Sequence, residues 1–301
     1  MTGIKKYLNK KICLVGLGKV GSALYHALIN SGLPVSSVVE KNTRQGKRII
    51  SGRNDVAFRK NITGKILKEC DVIIYSVQEK NLKDAVGELK KYKKILNDKI
   101  LLHTSGVETS ELFESVSSRK ALNGSFHPLQ TFNHISYNNN NLLNNIYFGI
   151  EGGSVAVKYA KIICSVLECR HIVIPKSKKT FYHSLCVIAS NFLVTHYNIL
   201  GRLSEELSPD KKSGIEIFEA IIRTTTDNVF IHGTQKSLTG PFARGDIKTI
   251  QKHLEYMREN IPNHLYYYVL HGLEALSLSV KEKKIERKTA EQIEKLLIKF
   301  I

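Results

Sequence analysis

Three glycines near the start of the chain have the spacing of a loop that holds the phosphates of a dinucleotide. They belong to the hexapeptide Gly16-Leu17-Gly18-Lys19-Val20-Gly21, whose pattern is G-x-G-x-x-G. The first glycine allows a tight turn, the second lets the backbone approach a pyrophosphate, and the third lets a helix pack closely against a strand. Since the free N–H groups at the start of that helix attract phosphate, we expect these six residues to bind a dinucleotide.

Charged residues after the second predicted strand bear on which dinucleotide binds. Glu40 stands where a carboxylate binds the ribose 2′-hydroxyl of NAD, whereas Lys41 and Arg44 are of the kind that accommodates the 2′-phosphate of NADP. Lys47 and Arg48 add two more cations to the same predicted loop. The excess of positive charge favours NADPH over NADH, although Glu40 keeps NAD possible. An ordinary solvated loop is the alternative.

Polar residues also follow two later strands. Ser76-Val77 ends one predicted strand, and His103-Thr104-Ser105-Gly106 ends another. Because ligands of open α/β sheets bind beyond the carboxyl ends of the strands, we expect Ser76, Val77 and Ser105 to line the crevice for the nicotinamide ring. Ordinary strand-ending turns are the alternative.

One histidine lies between strand-like residues and a proline, in the segment Gly124-Ser125-Phe126-His127-Pro128-Leu129-Gln130-Thr131-Phe132. The proline restricts the backbone next to His127. A rigid histidine at a strand end can contact a substrate or donate a proton. A lone histidine is more often structural, so this segment alone leaves both interpretations open.

The C-terminal part carries residues typical of an acid and of a carboxylate site. His183 and Asn191 lie on roughly the same face of one predicted helix. In the turn 238–246, Arg244 can bind a carboxylate through two hydrogen bonds, and Asp246 can cap the helix that follows. An arginine in a Gly-Pro loop can also be merely exposed.

The elements that must position these residues change in type along the chain. Up to Pro175, short apolar strands alternate with helices, which predicts a parallel sheet covered on both faces. From Lys176 onward, strand signals nearly vanish and helical periodicity dominates. We therefore predict an α/β fold with a Rossmann dinucleotide-binding domain over residues 1–175 and an all-helical substrate and dimerisation domain over residues 176–301.

Composition narrows the class of protein. The 301 residues are 42% hydrophobic and 24% charged, which is typical of a soluble globular protein. Lysine plus arginine exceed aspartate plus glutamate by 45 − 27 = 18, but the lysines are scattered and no RNA-binding or zinc-finger signature occurs. We therefore expect no nucleic-acid partner and no metal.

The five cysteines include no C-x-x-C pair, which favours reduced thiols in a cytoplasmic protein. No signal peptide is expected. We also expect no stretch long and apolar enough to cross a membrane.

Taken together, several segments make the chain resemble the Rossmann-like proteins with a DUF2520 C-terminal domain. The segments are G-L-G-K-V-G at 16–21, H-T-S-G at 103–106, G-S-F-H-P-L-Q-T-F at 124–132, G-I-E-G at 149–152, Y-H-S at 182–184 with Asn191, R-T-T-T-D-N at 223–228 and L-T-G-P-F-A-R-G-D at 238–246. Such proteins are similar in architecture to ketopantoate reductase, pyrroline-5-carboxylate reductase, the β-hydroxyacid dehydrogenases and 6-phosphogluconate dehydrogenase.

The resemblance implies an NADPH-dependent reductase of a small 2-oxo acid, with ketopantoate, on the route to pantothenate, as the leading substrate. It also implies a homodimer. Ordinary ketopantoate reductases carry a catalytic lysine on the first long helix of the second domain, with an asparagine two turns later. Here His183 takes the lysine position and Asn191 keeps the asparagine spacing.

His183 is therefore the expected proton donor, with His127 or Asn191 orienting the substrate carbonyl. Arg244, Thr239 and Gln130 are expected to hold the substrate. Two other functions stay open: an imine or 3-hydroxy-acid oxidoreductase of the same fold, and a sensor that binds NADP without hydride transfer.

Overall fold

Eight strands form a single sheet in the first part of the chain. In the computed structural model, which describes residues 7–137, 142–207 and 214–301, their spatial order is β3-β2-β1-β4-β5-β6-β7-β8. The strands are β1 (Ile12–Val15), β2 (Val35–Val39), β3 (Ala57–Arg59), β4 (Val72–Tyr75), β5 (Ile100–His103), β6 (Asn123–Leu129), β7 (Tyr147–Gly152) and β8 (Arg170–Val173).

Neighbouring strands are parallel except for one pair. β6 and β7 run antiparallel, with His127 opposite Gly149 and Ser125 opposite Glu151. The predicted parallel sheet is therefore correct for the central strands and wrong at this pair. Repeated β-α units force parallel pairing, but the chain reaches β7 from β6 without a crossover helix among the described residues.

Helices alternate with the strands of this sheet. They are α1 (Lys19–Asn30), α2 (Thr43–Ile49), α3 (Gly64–Glu69), α4 (Glu79–Gly87), α5 (Lys93–Leu96), α6 (Ser154–Val166) and α7 (Lys179–Val187). Short 3₁₀ turns at Glu88–Tyr92, Ser110–Phe113, Lys120–Leu122 and Lys176–Lys178 complete the connections.

The sheet separates two apolar clusters because successive side chains of a strand point to opposite faces. Along β1, Ile12 and Leu14 join one cluster, whereas Cys13 and Val15 join the other. All four β1 residues are buried, as expected for a central parallel strand. β8 lies at the edge, and all four of its residues are exposed.

The predicted basic loop after β2 is wrong for most of its length. The side chain of Asn42 accepts a hydrogen bond from the backbone N–H of Gln45 and caps helix α2. An asparagine at this position satisfies an otherwise free amide group of the first turn, so a helix can begin there.

The remaining elements are helical. After α7 come a π-helical turn (Ile188–Phe192), α8 (Leu193–Ser204), 3₁₀ turns at Glu205–Leu207, Ile215–Phe218 and Pro262–His264, and the helices α9 (Glu219–His232), α10 (Thr234–Ser237), α11 (Gly240–Arg244), α12 (Ile247–Asn260), α13 (Leu265–Lys281) and α14 (Arg287–Ile298). Asp246 caps α12 by accepting the N–H of Thr249, which confirms the role predicted for it.

The chain divides into two compact units, Met1–Val194 and Thr195–Ile301. The split falls inside the helical segment that begins at Lys176, and the domain boundary given from sequence stays a prediction. The second unit has its own core, where α12, α13 and α14 pack through Leu254, Val269 and Ile293.

One helical segment differs from expectation in its length and apolarity. Residues Lys176–Ser204 form 29 helical residues, within which an 18-residue window has a mean hydropathy of 1.2, so by length and composition alone this segment could span a membrane. The expectation that no such stretch exists is wrong, because the helix runs on past Val187 through the π turn. A single helix of this kind is weak evidence for a membrane location.

Stability of the first unit should depend strongly on a pair of stacked rings. Phe126 and Phe148 are fully buried, with ring centroids 4.1 Å apart. Phe126→Ala should lower the free energy of unfolding by about 3–5 kcal/mol, because it removes a packed ring and leaves a cavity. Denaturant unfolding measures this loss. Tyr147→Ala, at a residue 40% exposed on β7 whose ring carries the Arg170 guanidinium, is the control and should cost less, about 1–2 kcal/mol. Equal losses for both variants would contradict the expectation.

Candidate nucleotide-binding and catalytic site

A large cavity opens at the carboxyl ends of the parallel strands. Its volume is about 920 Å³, and all residues that line it belong to the first unit. The segments that follow β1, β2, β4 and β5 contribute to it, together with the end of β6 and helix α7. This is where open α/β sheets bind their ligands.

The glycine loop forms one wall of the cavity. Gly16 has a φ of +90°, and a Cβ atom there would meet the carbonyl oxygen of Ser76. A Cβ on Gly21 would clash with the carbonyl oxygen of Gly16, whereas one on Gly18 would meet nothing within 4 Å. Gly16 and Gly21 are therefore packed closely against other backbone atoms, whereas the space next to Gly18 is open. The uncapped N-terminus of α1 follows directly, so the residues present fit a pyrophosphate.

Glu40 holds this loop in place. One oxygen of its carboxylate accepts the backbone N–H of Leu17 at 2.7 Å, and the other accepts the N–H of Asn42 at 2.8 Å. The Gln45 side chain donates to the carbonyl oxygen of Leu17 at 2.8 Å. Glu40 thus lines the cavity while its carboxylate is already hydrogen-bonded to two backbone amides.

Two lysines stand beside Glu40 in the cavity wall. Lys41 lines the cavity as predicted, with its amine 3.7 Å from the Glu88 carboxylate. Lys60, which directly follows β3, also lines it and was not predicted. β3 pairs with β2, which brings Lys60 to the same edge as Lys41. Arg44 lies on the exposed side of α2 and does not line the cavity.

Two histidines form the opposite end of the cavity. The rings of His127 and His183 are nearly perpendicular, with centroids 6.2 Å apart. Both pack against Gly106, where a Cβ atom would clash with Nδ1 of His183 and would meet Nε2 of His127 at 3.1 Å. Nδ1 of His183 is buried and has no hydrogen-bond partner within the described part of the chain. A ligand in the cavity is therefore a natural partner for this nitrogen.

The environment of His127 keeps its ring neutral. Nδ1 and the Tyr182 hydroxyl are hydrogen-bonded at 2.9 Å. Burial, followed by the charges of Lys179 and His183, lowers the pKa of His127 to about 3. A neutral ring can accept or donate a hydrogen bond but is a poor source of a proton near neutral pH. The geometry therefore suits His127 to orienting a ligand.

Lys179 is a functional candidate that the sequence analysis missed. Its side chain is fully buried, and its amine donates a hydrogen bond to the hydroxyl of Ser125. Burial lowers the pKa of Lys179 to about 8, against the opposing charge of Glu151. Lys179 lies one helical turn before His183 on α7. Three lysines lie close together at 176–179, and sequence alone does not distinguish which of them is buried.

His103 is a structural histidine. Its Nδ1 accepts the N–H of Ser105 at 3.2 Å, and its Nε2 lies 3.1 Å from the carbonyl oxygen of Thr109. Both ring nitrogens are therefore satisfied only in the neutral form that carries hydrogen on Nε2. Burial lowers its pKa to about 3. The neighbouring Ser105, in contrast, lines the cavity.

The structure brings most of the predicted site residues to this one cavity. Those that line it are Gly16, Gly18, Lys19, Val20, Lys41, Ser76, Val77, Ser105, His127, Gln130 and His183. Leu17 and Gly21 lie buried behind the loop. Asn191 is exposed within the π turn and does not line the cavity, because that wider turn changes the direction of the residues after Val187. Thr239 and Arg244 lie in the second unit.

Comparison with known proteins agrees with this description. The model of NADP oxidoreductases described as coenzyme F420-dependent matches residues 11–105, and the domain of unknown function DUF2520 matches residues 146–274. No curated protein matches the chain.

Several solved structures share the fold at low sequence identity. A candidate NADP oxidoreductase from Bacteroides fragilis is 20% identical, with a TM-score of 0.62 over 90% of this chain and 99% of that one. Pyrroline carboxylate reductase from Plasmodium falciparum, with NADP bound, is 16% identical (TM-score 0.55, 96% and 98% covered). An imine reductase from Myxococcus stipitatus in complex with NADP+ is 14% identical (TM-score 0.52, 96% and 93% covered).

The fold, the glycine loop and the family matches define an oxidoreductase that uses a nicotinamide dinucleotide. The two matches support the resemblance to Rossmann-like proteins with a DUF2520 C-terminal domain.

We expect His103 and His127 to stay neutral well below the usual range for histidine. An unfolded chain protonates histidine near about pH 6.5. With a folded-state pKa of about 3, each group contributes stability that is complete above about pH 6.5 and is lost as the pH falls toward 3. Ring ¹⁵N NMR spectra between about pH 7 and pH 5 should show neither ring titrating. A midpoint inside this range for either ring would contradict the assignment.

Proposed function

We propose that this protein reduces a small 2-oxo acid with NADPH, and that ketopantoate is its leading substrate. The observation that carries the proposal is a single cavity with the dinucleotide loop at one end and His183, with its unpartnered buried nitrogen, at the other. A reductase needs a nucleotide and a proton donor in one water-restricted site.

The glycine loop and the start of α1 would hold the pyrophosphate of the cofactor through backbone N–H groups. When bound, the nicotinamide supplies a hydride to the carbonyl carbon of the substrate. Ser76, Val77 and Ser105 line the part of the cavity where strands β4 and β5 end, and we assign them to the nicotinamide side.

The remaining chemistry is the supply of a proton to the oxygen that becomes an alkoxide. We assign this proton to His183, because the lowered pKa of His127 makes it a poor donor. His127 then orients the carbonyl through Nε2, since its Nδ1 is bonded to Tyr182. Asn191 is exposed, which weakens the case for it as the orienting group.

Lys179 is the second candidate in this proton supply. With a pKa of about 8 it is mostly protonated at neutral pH, and its charge acts on His127. Lys179 does not line the cavity. We therefore propose that its positive charge, held against Ser125 of β6, stabilises the developing alkoxide without contacting it. Gln130 at the cavity wall is proposed to bind the substrate carboxylate. The substrate contacts expected of Arg244 and Thr239, which belong to the second unit, stay predictions from the sequence.

Loss of His183 should cost turnover rather than cofactor binding. His183→Ala should lower kcat for ketopantoate by about 10²-fold or more, because the proton donor is gone. The dissociation constant of NADPH should stay within about twofold. Loss of reduced-nicotinamide absorbance measures the first quantity, and nicotinamide fluorescence measures the second. His171→Ala, at an exposed histidine of β8, is the matched control and should leave both unchanged.

Near-full turnover by His183→Ala at saturating substrate would overturn the assignment of the donor. The unaltered protein could instead bind NADPH and fail to oxidise it with every 2-oxo acid and imine tested. In that case the protein is a sensor and the proposed reaction is wrong.

An imine substrate is the second candidate, favoured by the fold shared with pyrroline carboxylate reductase and imine reductases. Pyrroline-5-carboxylate has a C=N bond whose nitrogen is attached to the carbon that bears the carboxylate, so it too would need a hydride and a contact to a carboxylate. Steady-state rates with ketopantoate and pyrroline-5-carboxylate side by side decide between the two. Oxidation of 3-hydroxy acids with NADP+, measured as the appearance of NADPH absorbance, tests the 3-hydroxy-acid alternative.

NADPH should be preferred over NADH because of lysines in the wall near Glu40. Lys41→Ala and Lys60→Ala should each weaken NADPH about five- to tenfold and leave NADH nearly unchanged, since only NADPH carries the 2′-phosphate. Arg44→Ala should have a smaller effect, because Arg44 does not line the cavity. Fluorescence titration with both nucleotides measures these constants. Equal losses for NADPH and NADH in the lysine variants would contradict the preference.

A homodimer is proposed on separate grounds. Apolar side chains of the helical segment Lys176–Ser204 are widely exposed, among them Phe181 (60%), Ile188 (53%) and Val194 (66%). Soluble monomers rarely expose contiguous apolar surface of this kind, which is typical of an interface.

A further inference from the structure

A second cavity lies at the opposite end of β6 from His127. Its volume is about 490 Å³, and it shares no lining residue with the nucleotide cavity. The start of β6, the end of β7, the segment after β8 and the 3₁₀ turns at Ser110–Phe113 and Lys120–Leu122 enclose it. Its size lies within the range of small-molecule sites.

Asn123 gives this cavity an unsatisfied hydrogen-bonding group. The residue is only 1% exposed and is one of those that line the cavity. Neither its amide nitrogen nor its amide oxygen has a partner among residues that the structure describes. Burying an amide without partners is costly. A bound molecule that offers both an acceptor and a donor would remove that cost.

Charges of both signs surround Asn123. Lys120 pairs with Glu114 at 2.8 Å, and Lys176 pairs with Glu111. All four side chains line the cavity and lie on the protein surface. A simple anion or a simple cation would find like charges as well as opposite ones here, whereas a molecule with both charges finds a partner for each.

Glu151 also lines the cavity, but its carboxylate is less available to a ligand than those of Glu111 and Glu114. It is 2% exposed, and its carboxylate accepts both the backbone N–H and the hydroxyl of Ser110 at 2.8 Å. Its hydrogen-bonding capacity is thus largely used within the protein.

The N-terminal end of α6 borders the same cavity. Gly152 and Gly153 line it, and Gly153 caps this 13-residue helix without any side-chain hydrogen bond. The first turn contains no acidic residue. The positive end of the helix dipole therefore lies at this side of the cavity, where it favours a carboxylate.

We propose that this cavity binds a small zwitterion, namely an α-amino acid with an apolar side chain. Its carboxylate faces the start of α6 and the lysines Lys120 and Lys176. Its ammonium group donates to the Asn123 amide oxygen and to the rim glutamates. Val173, Ile174 and Pro175 supply the apolar wall for the side chain. This site is separate from the proposed reductase chemistry, so each can fail without the other.

Calorimetric titration of the full chain with L-leucine tests the site. The matched probes are 4-methylpentanoate, which lacks the ammonium group, and 3-methylbutylamine, which lacks the carboxylate. Leucine should bind at least about tenfold more tightly than either, because each fragment leaves one set of charges unmatched.

Two substitutions locate the binding. Asn123→Leu should weaken leucine at least about fivefold, because the ammonium group loses its hydrogen bond to the amide oxygen. Lys176→Gln, at an exposed residue whose change does not endanger folding, should weaken it by about two- to fivefold. Lys158→Gln, at an exposed lysine of α6 outside the cavity, is the control and should change nothing.

Three results would overturn the proposal. They are no detectable leucine binding up to about 10 mM, equal binding of leucine and either fragment, and leucine binding that neither Asn123→Leu nor Lys176→Gln weakens. NADPH titration of the same samples shows whether each variant remains folded.

Discussion

The packing of helix α7 on strands β6 and β7 is the contact on which the candidate site depends. Lys179, Tyr182 and His183 lie three and four residues apart, so they share the helix face that meets the sheet. Lys179 reaches Ser125, Tyr182 reaches His127, and His183 stands beside Gly106. A Cβ atom on Gly149 of β7 would clash with the Tyr182 hydroxyl, so a larger residue there would push the helix away.

This contact also explains the electrostatics of the site. The helix covers polar side chains on one face of β6 and withdraws them from water. Burial is the largest cause of the lowered pKa of His127 and of Lys179 alike. The positive charge of Lys179 lowers the pKa of His127 further, because it disfavours a second positive charge nearby. One packing event therefore places the donors and determines which of them is protonated near neutral pH.

Features that depend on local sequence could be predicted. The glycine loop follows from the spacing of its residues, and the alternation of short strands with helices before Pro175 follows from the apolar runs. The cap at Asp246 follows from its position before a helical pattern. Strand ends were also informative, since Ser76, Val77 and Ser105 meet at one cavity as the parallel sheet requires.

Features that depend on distant parts of the chain could not be predicted. Lys60 reaches the cavity only because β3 pairs with β2, and Lys179 is buried only because α7 packs on β6. The π turn at Ile188–Phe192 leaves no clear mark in a helical periodicity, so Asn191 was expected on the face of His183. The antiparallel β6–β7 pair likewise depends on a connection whose residues 138–141 lie outside the described part of the chain.

The double hydrogen bonding of Glu40 has a consequence for anyone who wishes to redesign the cofactor preference. Exchanging the acidic residue after β2 is the obvious first change for a nucleotide that carries an extra phosphate. In this protein the same carboxylate ties down the amides of Leu17 and Asn42. Replacing it would loosen the glycine loop as well as remove a negative charge, so affinity for both nucleotides would suffer. Adding positive charge around Glu40, while leaving it in place, is the design route that preserves the loop.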